Sequence, residues 1–352
     1  MGVSGRLECV SGDDVEIGRA TLKTTAKTAT VHTERAFTIS RGSEDAFEEV
    51  IFEIEEDGLT GLGEASPSGR YSQRSAEVAA ALEKVRISDA WDIEGELRRN
   101  SDLPPAALAA LDGALNDLAA KKLGVPLYRM LGLAQPDITS SYTLGIDELE
   151  TTLEWARKLS AFPVFKMKVG SERDIETVRA VSDVSDARLW VDANEAFSPE
   201  DAVDVVRELK GIGVEMIEQP AAAAEGAEAM RKVTEAASPV PVIADESAIS
   251  ASDVPKLSGN VSGVNVKLAK CGGVRNALKM VHTARAHGML CMIGCMIETS
   301  VGIAAASHIA GLFDFVDLDG AALLADDPFT GVTFDKGKML LSEKPGLGVE
   351  YR

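Results

Sequence analysis

RLWVDANEAFSPEDAVDVVRELKGIGVEMIE, residues 188–218, is the stretch that decides the predicted fold. Two short apolar runs in it, Arg188–Asp192 and Glu215–Glu218, are typical of buried parallel strands. The residues between them include Asp201–Lys210, where the pattern predicts a helix. A strand, a helix and a second strand in this order form one repeat of a parallel sheet that is covered by helices.

The same alternation runs from residue 138 to residue 319. The other predicted strands are Ile138–Leu144, Val164–Lys168, Val242–Asp245, Val264–Lys267, Leu290–Met296 and Phe315–Asp319. Eight strands separated by helices favour an α/β fold, a modified TIM barrel of the (β/α)7β type in which the last helix is incomplete. A doubly wound sheet is the alternative, but the sequence holds no glycine-rich dinucleotide fingerprint.

The chain before residue 136 has a different pattern, which predicts an α+β domain. Its predicted strands and main helix are Ala36–Ser40, Ala46–Glu55, Leu59–Glu64 and Pro104–Leu123. Arg41–Asp45 and Asp57-Gly58 are predicted turns of an antiparallel meander. We therefore expect residues 1–135 to form this α+β domain and residues 136–325 to form the barrel. The tail 326–352 is expected to fold back onto the first domain.

Composition limits the classes of function. The 352 residues carry a net charge of −20, so nucleic acid and anionic membrane surfaces are poor partners. No apolar run approaches the roughly 18 residues of a membrane span, and the first residues lack the features of a signal peptide. Cys9, Cys271, Cys291 and Cys295 form no metal-binding pair and suit a reducing cytoplasm. We therefore expect a cytoplasmic protein with a small-molecule partner.

Ionisable residues stand at the ends of seven consecutive predicted strands or, for Glu298, two residues beyond the end. They are Lys168, Asp192, Glu218, Asp245, Lys267, Glu298 and Asp319. Because the strand ends of such a barrel converge on one mouth, these groups must pair with one another, with a cation or with substrate. Asp192, Glu218 and Asp245 are hard oxygen donors from neighbouring strands, and they suit Mg²⁺ better than zinc. The alternative, that a carboxylate caps the following helix, stays open for Asp192 or Asp245 singly.

Lysines flank these carboxylates on both sides. Lys166 and Lys168 share one face of a strand because side chains alternate, and Lys267 comes from a strand across the mouth. Two amines on opposite sides of a metal can remove and return a proton on opposite faces of one carbon. We expect nearby cations to lower a lysine pKa toward the working pH, as a general base requires. Neutralisation of carboxylates explains one such lysine more easily than three.

Asp317 and Asp319 form an acid pair at the end of the last predicted strand. Because side chains alternate along a strand, both carboxylates point into the mouth of the barrel. They would repel each other there unless a cation lies between them. The alternative is that one of the two pairs with a lysine.

Five motifs in this half of the chain resemble the enolase superfamily, in its muconate-cycloisomerase-like branch. They are Lys166-Met167-Lys168, Val191-Asp192-Ala193-Asn194, Ile217-Glu218-Gln219-Pro220, Ala244-Asp245-Glu246-Ser247 and Val266-Lys267-Leu268. The resemblance extends from Phe37 to Gly348, and it implies that residues 1–135, completed by the tail 326–352, form a capping domain over the barrel. Within the branch, Asp317-Leu318-Asp319 is similar to the acid pair of the dipeptide epimerases, of which the L-Ala-D/L-Glu epimerases are one type.

This resemblance implies a reaction and a set of residues. The implied metal ligands are Asp192, Glu218 and Asp245, and the implied catalytic residues are Lys168, Lys267 and Lys166. The implied substrate-binding residues are Asp317, Asp319, Arg41, Ile297 and Glu298. One Mg²⁺ per subunit would hold the carboxylate of a dipeptide, and two lysines would invert the Cα of its C-terminal residue through an ene-diolate.

The implied side-chain specificity is divided. An arginine of the capping loop, Arg41, would face a glutamate side chain, which makes L-Ala-L-Glu the first substrate to consider. Glu298, beside the pocket, instead favours a neutral or basic side chain.

Other activities stay open. N-acyl amino acid racemase, o-succinylbenzoate synthase and muconate-type cycloisomerase belong to the same branch, but their substrates lack an α-ammonium group. A retaining glycosidase with Glu218 and Glu298 as its carboxylates is more remote, as is a non-catalytic scaffold on an enzyme fold. We also expect a homo-oligomer, and residues 1–19 match nothing that we can name.

Overall fold

The structure is a computed structural model, and it describes residues 22–352. The expectation for Cys9 and the question of residues 1–19 fall outside the described residues. Across residues 22–352, every helix is too short or too polar to cross a bilayer.

The capping domain is built on an antiparallel sheet in the order β1-β2-β3. Its elements are β1 (Lys23–Ile39), β2 (Gly42–Glu56), β3 (Leu59–Ala65), α1 (Ser75–Leu82), α2 (Ile93–Arg99), α3 (Pro105–Leu123) and α4 (Leu127–Met130). Asp57 and Gly58 have φ angles of 52° and 77°, which form the tight turn between β2 and β3. The predicted meander is present, but the turn between β1 and β2 is shorter than predicted, at Ser40-Arg41.

Helix α3 packs directly on β3 because two glycines of the strand leave room for it. A Cβ atom on Gly61 would lie 2.2 Å from the carbonyl oxygen of Ala114, and one on Gly63 would lie 1.9 Å from that of Ala110. Any side chain at these positions would therefore push the helix off the sheet. The helix ends at Gly124, whose φ of 68° suits the left-handed position that closes a helix.

The second part of the chain is a parallel sheet of eight strands that neighbour one another in sequence order, which confirms the predicted fold class. The eight strands are β5 (Tyr142–Leu144), β6 (Val164–Lys168), β7 (Arg188–Asp192), β8 (Met216–Glu218), β9 (Val242–Ala244), β10 (Gly263–Lys267), β11 (Leu290–Gly294) and β12 (Phe315–Asp317), and the short strand β4 (Ile138–Thr139) precedes them in a different sheet. Only β5 to β12 belong to the barrel, so the predicted strand Ile138–Leu144 is in fact two strands. A hydrogen bond of 3.0 Å from Ser141 N to Val316 O joins the first and last barrel strands.

Helices follow the barrel strands on the outside. They are α5 (Leu149–Lys158), α6 (Asp174–Val184), α7 (Pro199–Ile212), α8 (Gly226–Ala237), α9 (Val254–Leu257), α10 (Leu268–Cys271), α11 (Val274–Ala286), α12 (Ser300–Ser307) and α13 (Gly320–Leu323). Because α13, after the last strand, has only four residues, the barrel has the predicted (β/α)7β form.

Side-chain alternation builds the barrel interior in layers. The lower layer is apolar and buried, and it comprises Val164, Trp190, Met216, Ile243 and Met292. Lys166, Asp192, Glu218 and Asp245 come two residues after Val164, Trp190, Met216 and Ile243, respectively. Because side chains two apart on a strand share a face, an apolar floor lies beneath a layer of charges.

The C-terminal tail contacts both parts of the molecule. Its strands are β13 (Phe329–Thr330), β14 (Val332–Asp335), β15 (Lys338–Leu341) and β16 (Glu350–Tyr351). Strand β15 pairs with β4 next to the barrel, whereas Leu347 N donates a 2.7 Å hydrogen bond to Asp117 Oδ1 on α3. The division of the chain at residues 135 and 325 stays a prediction.

Candidate active site

Three carboxylates lie at the ends of neighbouring barrel strands. Asp192 ends β7, Glu218 ends β8, and Asp245 directly follows β9. Each residue is at most 1% exposed. Asp192 and Glu218 are direct neighbours in the sheet register. The structure therefore brings the predicted metal ligands to one end of the barrel, although β9 ends one residue earlier than predicted.

Lys166 lies among carboxylates from three strands. Its Nζ donates a 2.6 Å hydrogen bond to Asp317 Oδ2, and it lies 2.7 Å from Glu218 Oε2 and 3.1 Å from Asp192 Oδ2. Burial alone would lower the pKa of Lys166, but the three carboxylates together raise it well above its ordinary value. The lysine is thus held as an ammonium group in the interior.

Lys168 and Lys267 come from opposite sides of the barrel mouth. Lys168 Nζ donates to Asp192 Oδ2 at 2.6 Å from β6, and Lys267 Nζ donates to Asp245 Oδ2 at 2.9 Å from β10. Three strands separate β6 from β10 in a sheet of eight, so the two strands lie across the barrel from each other. We call Lys166, Lys168, Lys267, Asp192, Glu218 and Asp245 the reactive centre.

The pKa shifts in the reactive centre differ from the expectation that cations lower a lysine pKa. Burial opposes the charged form of Lys267, but Asp245 and Glu218 raise its pKa well above the ordinary value. Burial likewise opposes the ionised form of Asp245, but Lys267 and Lys270 lower its pKa. The nearest charge to Lys267 is the carboxylate of Asp245, so these two groups keep each other ionised.

Two supporting residues were missed by the sequence analysis. Lys270 is 2% exposed, and its Nζ donates to the Asp245 side chain and to three main-chain oxygens at 2.7–3.1 Å. Asn265 Nδ2 donates to Glu218 Oε1 at 2.6 Å. Both residues fix the orientation of a carboxylate in the reactive centre. The signal for Lys270 was its place in VNVKLAK, a stretch too apolar for a solvated lysine.

The oxygen atoms around the reactive centre fit a hard cation. Within residues 22–352, the buried oxygens that have no hydrogen-bond donor include Glu218 Oε2, Glu246 Oε2, Asn194 Oδ1 and Asn265 Oδ1. The Lys166 ammonium lies beside Glu218 Oε2 but outside a hydrogen-bonding direction. Burial, followed by the charge of Asp192, raises the pKa of Glu218 to about 7. Carboxylate and amide oxygens are ligands that Mg²⁺ prefers.

Lysine nitrogens lie between these carboxylates. In residues 22–352, therefore, no three His, Cys, Asp or Glu side chains form a compact metal cluster as they stand. A cation at this position would share the carboxylates with the lysines.

The acid pair occupies the seam between the first and last barrel strands. Asp317 ends β12, pairs with Lys166 and accepts a 2.6 Å hydrogen bond from Ser141 Oγ. Asp319 lies beyond the strand and accepts a 2.6 Å hydrogen bond from Thr143 N. Burial, followed by the charge of Asp317, raises the pKa of Asp319 to about 7. One acid therefore pairs with a lysine, and both line the cavity that contains the lysines.

Arg41 contacts the loop that follows β7. Its Nη1 donates to Asn194 O at 2.7 Å and to Glu246 Oε1 at 3.0 Å. Arg70, from the loop after β3, donates to both carboxylate oxygens of Glu195 at 2.7 and 2.8 Å. The structure therefore brings Arg41 to the cavity, but barrel oxygens already occupy its Nη1 atom.

Ile297 lines the cavity, whereas Glu298 lies behind the lining, next to two other buried acids. Glu64 accepts three hydrogen bonds at 2.6–2.8 Å from the start of α12. Burial, followed by the charge of Glu298, raises the pKa of Glu64 to about 8. Burial and the charges of Glu64 and Glu298 raise the pKa of Glu49 well above its ordinary value. We call Glu49, Glu64 and Glu298 the acid cluster.

Comparison with protein families agrees with this fold and site. Residues 149–352 match the family described as enolase C-terminal domain-like. Residues 23–132 match the N-terminal domain of mandelate racemase and muconate lactonizing enzyme. The chain therefore belongs to the enolase superfamily, in its mandelate racemase and muconate lactonizing enzyme group, which confirms the resemblance of the motifs.

Similar proteins within this family are isomerases named for dipeptides. The L-Ala-D/L-Glu epimerase of Bacteroides thetaiotaomicron is 39% identical over 322 residues, which cover 89% of this chain and 84% of the relative. The hydrophobic dipeptide epimerase of Roseobacter litoralis is 38% identical over 338 residues, covering 91% and 96%. The crystal structure of the Enterococcus faecalis dipeptide epimerase, complexed with Mg and L-Leu-L-Tyr, has a TM-score of 0.88 and 32% identity, covering 93% of this chain and 99% of that one.

Proposed function

We propose that this chain is a Mg²⁺-dependent dipeptide epimerase, an isomerase that inverts the Cα of the C-terminal residue. The observation that carries the proposal is the position of Lys168 and Lys267 across the barrel mouth, with carboxylates between them. Membership of the enolase superfamily and the epimerase names of the relatives support it.

Asp192, Glu218 and Asp245 would hold one Mg²⁺ per subunit. When bound there, the ion supplies positive charge that stabilises the negative charge developing on the substrate carboxylate. Asn265 and Lys270 position Glu218 and Asp245 through their hydrogen bonds.

Two lysines carry the proton transfers. Lys168 in its neutral form removes the Cα proton from one face, and Lys267 in its ammonium form delivers a proton to the opposite face. The roles reverse for the other stereoisomer. Lys166, buried beneath them, provides a fixed positive charge for the developing anion. Because positioned bases contribute roughly 10²–10⁴-fold, the fixed charges must supply the rest of the rate enhancement.

Asp317 and Asp319 would hold the free α-ammonium group of the dipeptide. Asp317 already shares Lys166, so Asp319 is the acid with more capacity for a further cation. N-acylated amino acids and the substrates of o-succinylbenzoate synthase and of the cycloisomerases lack this ammonium group. The acid pair therefore favours a dipeptide over those alternatives.

The identity of the substrate side chains belongs to the same proposal. Arg41, Ile297 and Glu298 stay predicted substrate-binding residues, and L-Ala-L-Glu stays the first substrate to assay. The cytoplasmic location and the homo-oligomeric state also stay predictions.

The experiment that tests the function is hydrogen exchange on a dipeptide panel. The protein is incubated with Mg²⁺ and L,L-dipeptides in D₂O, and mass spectrometry and chiral separation follow deuterium at Cα and the appearance of the L,D isomer. We expect one deuterium per inverted centre for free dipeptides and none for their N-acetylated forms. Turnover of the acetylated forms alone would contradict the proposal and favour an N-acyl amino acid racemase.

A further inference from the structure

A cavity of about 510 Å³ extends from the lysines of the reactive centre to the capping domain. Its capping side, which we call the capping wall, is lined by Glu44, Glu48, Glu49, Ser66 and Ser75. Cavities of this size are typical of small-molecule sites and admit a dipeptide with a long side chain. The capping wall is therefore a surface that a substrate side chain can reach.

Glu49 is the buried acid of the capping wall. It is 2% exposed, and its Oε1 accepts a 3.2 Å hydrogen bond from Ser66 Oγ. Its Oε2 is buried and has no hydrogen-bond partner in the described part of the chain. A carboxylate buried without a counter-charge costs free energy, and a bound cation would offset that cost. The unpaired oxygen thus indicates a position for a positively charged group.

The arginines beside the cavity do not supply that charge. Arg41 binds Asn194 and Glu246, and Arg70 binds both oxygens of Glu195. Glu48 in turn accepts a hydrogen bond from Ser75, a neutral partner. A carboxylate side chain of a substrate would therefore find no counter-charge at the capping wall, whereas an ammonium or guanidinium group would meet an unpaired oxygen.

We infer that Glu49 selects a dipeptide with a cationic side chain of the lysine or arginine type. The inference rests on the proposed function and adds the chemistry of the side chain to it. Phe37, Ile39 and Phe47 line the same cavity and offer apolar surface to the aliphatic stem of such a side chain. Glu49 predicts a preference for a cationic side chain, whereas Arg41 predicts a preference for an anionic one. A comparison of substrates therefore distinguishes the two.

The test compares substrates that differ only in the charged group. The kcat/KM for deuterium incorporation is measured for L-Ala-L-Lys against L-Ala-L-norleucine, and for L-Lys-L-Ala against L-norleucyl-L-Ala. The variants are Glu49→Gln, Glu49→Asp and the control Glu53→Gln. Glu53 lies on the same strand outside the cavity lining, where it pairs with Lys27.

We expect the wild type to favour the lysine member of at least one pair by about 10- to 100-fold, the effect of one buried charge-assisted contact. Glu49→Gln should abolish most of that preference while its kcat/KM for the norleucine dipeptide stays near that of the wild type, which also shows that the variant folds. Glu49→Asp should restore part of the preference, and Glu53→Gln should retain it all.

An unchanged preference in Glu49→Gln would overturn the inference, as would a wild type that favours norleucine or glutamate dipeptides. Turnover of neutral dipeptides without any cationic preference refutes the inference and leaves the proposed function standing. Absence of exchange with every dipeptide refutes both.

Discussion

The reactive centre and the acid cluster both bury several carboxylates, but they differ in their counter-charges. In the reactive centre, lysine nitrogens lie 2.6–3.1 Å from carboxylate oxygens. In the acid cluster, the partners are neutral: Glu64 binds the start of α12, Glu49 binds Ser66, and Glu298 binds a main-chain nitrogen. The two regions therefore offset the free-energy cost of buried acids in different ways.

This difference sets the charge state of each region. Burial opposes ionisation of Asp192, but Lys168 and Lys166 lower its pKa below the ordinary value. Burial and Glu298 instead raise the pKa of Glu64 to about 8. At neutral pH, Asp192 and Lys166 are ions, whereas Glu64 keeps its proton. Replacing an ionisable side chain by a neutral one should thus cost much stability in the reactive centre and little in the acid cluster.

The largest effect should come from removing the divalent ion that the reactive centre would hold. Chelation with EDTA is expected to lower epimerisation by about 10²-fold or more, because the ion is proposed to supply several kcal/mol of charge stabilisation. Chiral chromatography of the dipeptide measures the loss. Added Mg²⁺ should restore the rate and added K⁺ should not. Full activity in excess EDTA would contradict the metal assignment.

Lys270→Met tests the cost of removing a buried cation that contacts the reactive centre. The substitution leaves Asp245 with one lysine fewer and three main-chain oxygens without their donor. We expect the free energy of unfolding in urea to fall by about 3–5 kcal/mol, as for other broken buried ion pairs. Lys279→Met is the matched control, because this exposed lysine pairs with Glu94 and Asn276 at the surface. Equal losses of unfolding free energy in the two variants would contradict the expectation that the buried lysine contributes more to stability than the exposed one.

Glu64→Gln tests the protonated state of the acid cluster through pH. Between its ordinary pKa of 4.5 and its raised pKa of about 8, folded Glu64 holds a proton that the unfolded chain has lost. The wild-type free energy of unfolding should therefore fall, relative to that of the variant, as the pH rises through this window. The relative change should reach a few kcal/mol, since one pKa unit is worth about 1.36 kcal/mol.

Urea unfolding of both proteins at pH 5 and pH 8 measures this change. Glu77→Gln, on the exposed face of α1, provides the control. A constant difference between wild type and Glu64→Gln across the window would show that Glu64 is ionised at neutral pH.

The smallest effect is expected for the ion pair between Arg70 and Glu195, which belongs to neither region. Its side chains are 36% and 11% exposed, so solvent screens the attraction. A double-mutant cycle with Arg70→Met and Glu195→Gln, read by urea unfolding, should give a coupling energy of about 1 kcal/mol or less. A coupling energy as large as that of a buried ion pair would contradict the expectation that solvent screens this contact.

The reactive centre could be predicted from the sequence because the alternation of side chains along a strand and the order of strands in a barrel leave few possible positions for its residues. A charge at the end of a short apolar run must face the mouth, and this placed Lys168, Asp192, Glu218 and Lys267. The boundaries were less certain where polar residues interrupt the pattern. The expected strand Ile138–Leu144 breaks at two serines whose side chains bond across the barrel seam.

The acid cluster and the supporting residues could not be predicted in the same way. The pairing of β2 with β3 places Glu49 near Glu64, but only the packing of β3 against α12 brings these two acids to Glu298. The partner of Arg41 also comes from a loop more than 150 positions away. Lys270 follows the end of β10 on a one-turn helix, where no strand period applies.

The central claim is that Lys168 and Lys267 act on opposite faces of one carbon. Its most direct test is deuterium incorporation by Lys168→Ala and Lys267→Ala, each with Mg²⁺ and with the L,L and L,D forms of one dipeptide in D₂O. We predict that each variant loses net epimerisation by about 10²-fold or more and still exchanges the Cα proton of one stereoisomer, a different one in each variant. Exchange of the same stereoisomer by both variants, or epimerisation at the wild-type rate by either, would contradict the account.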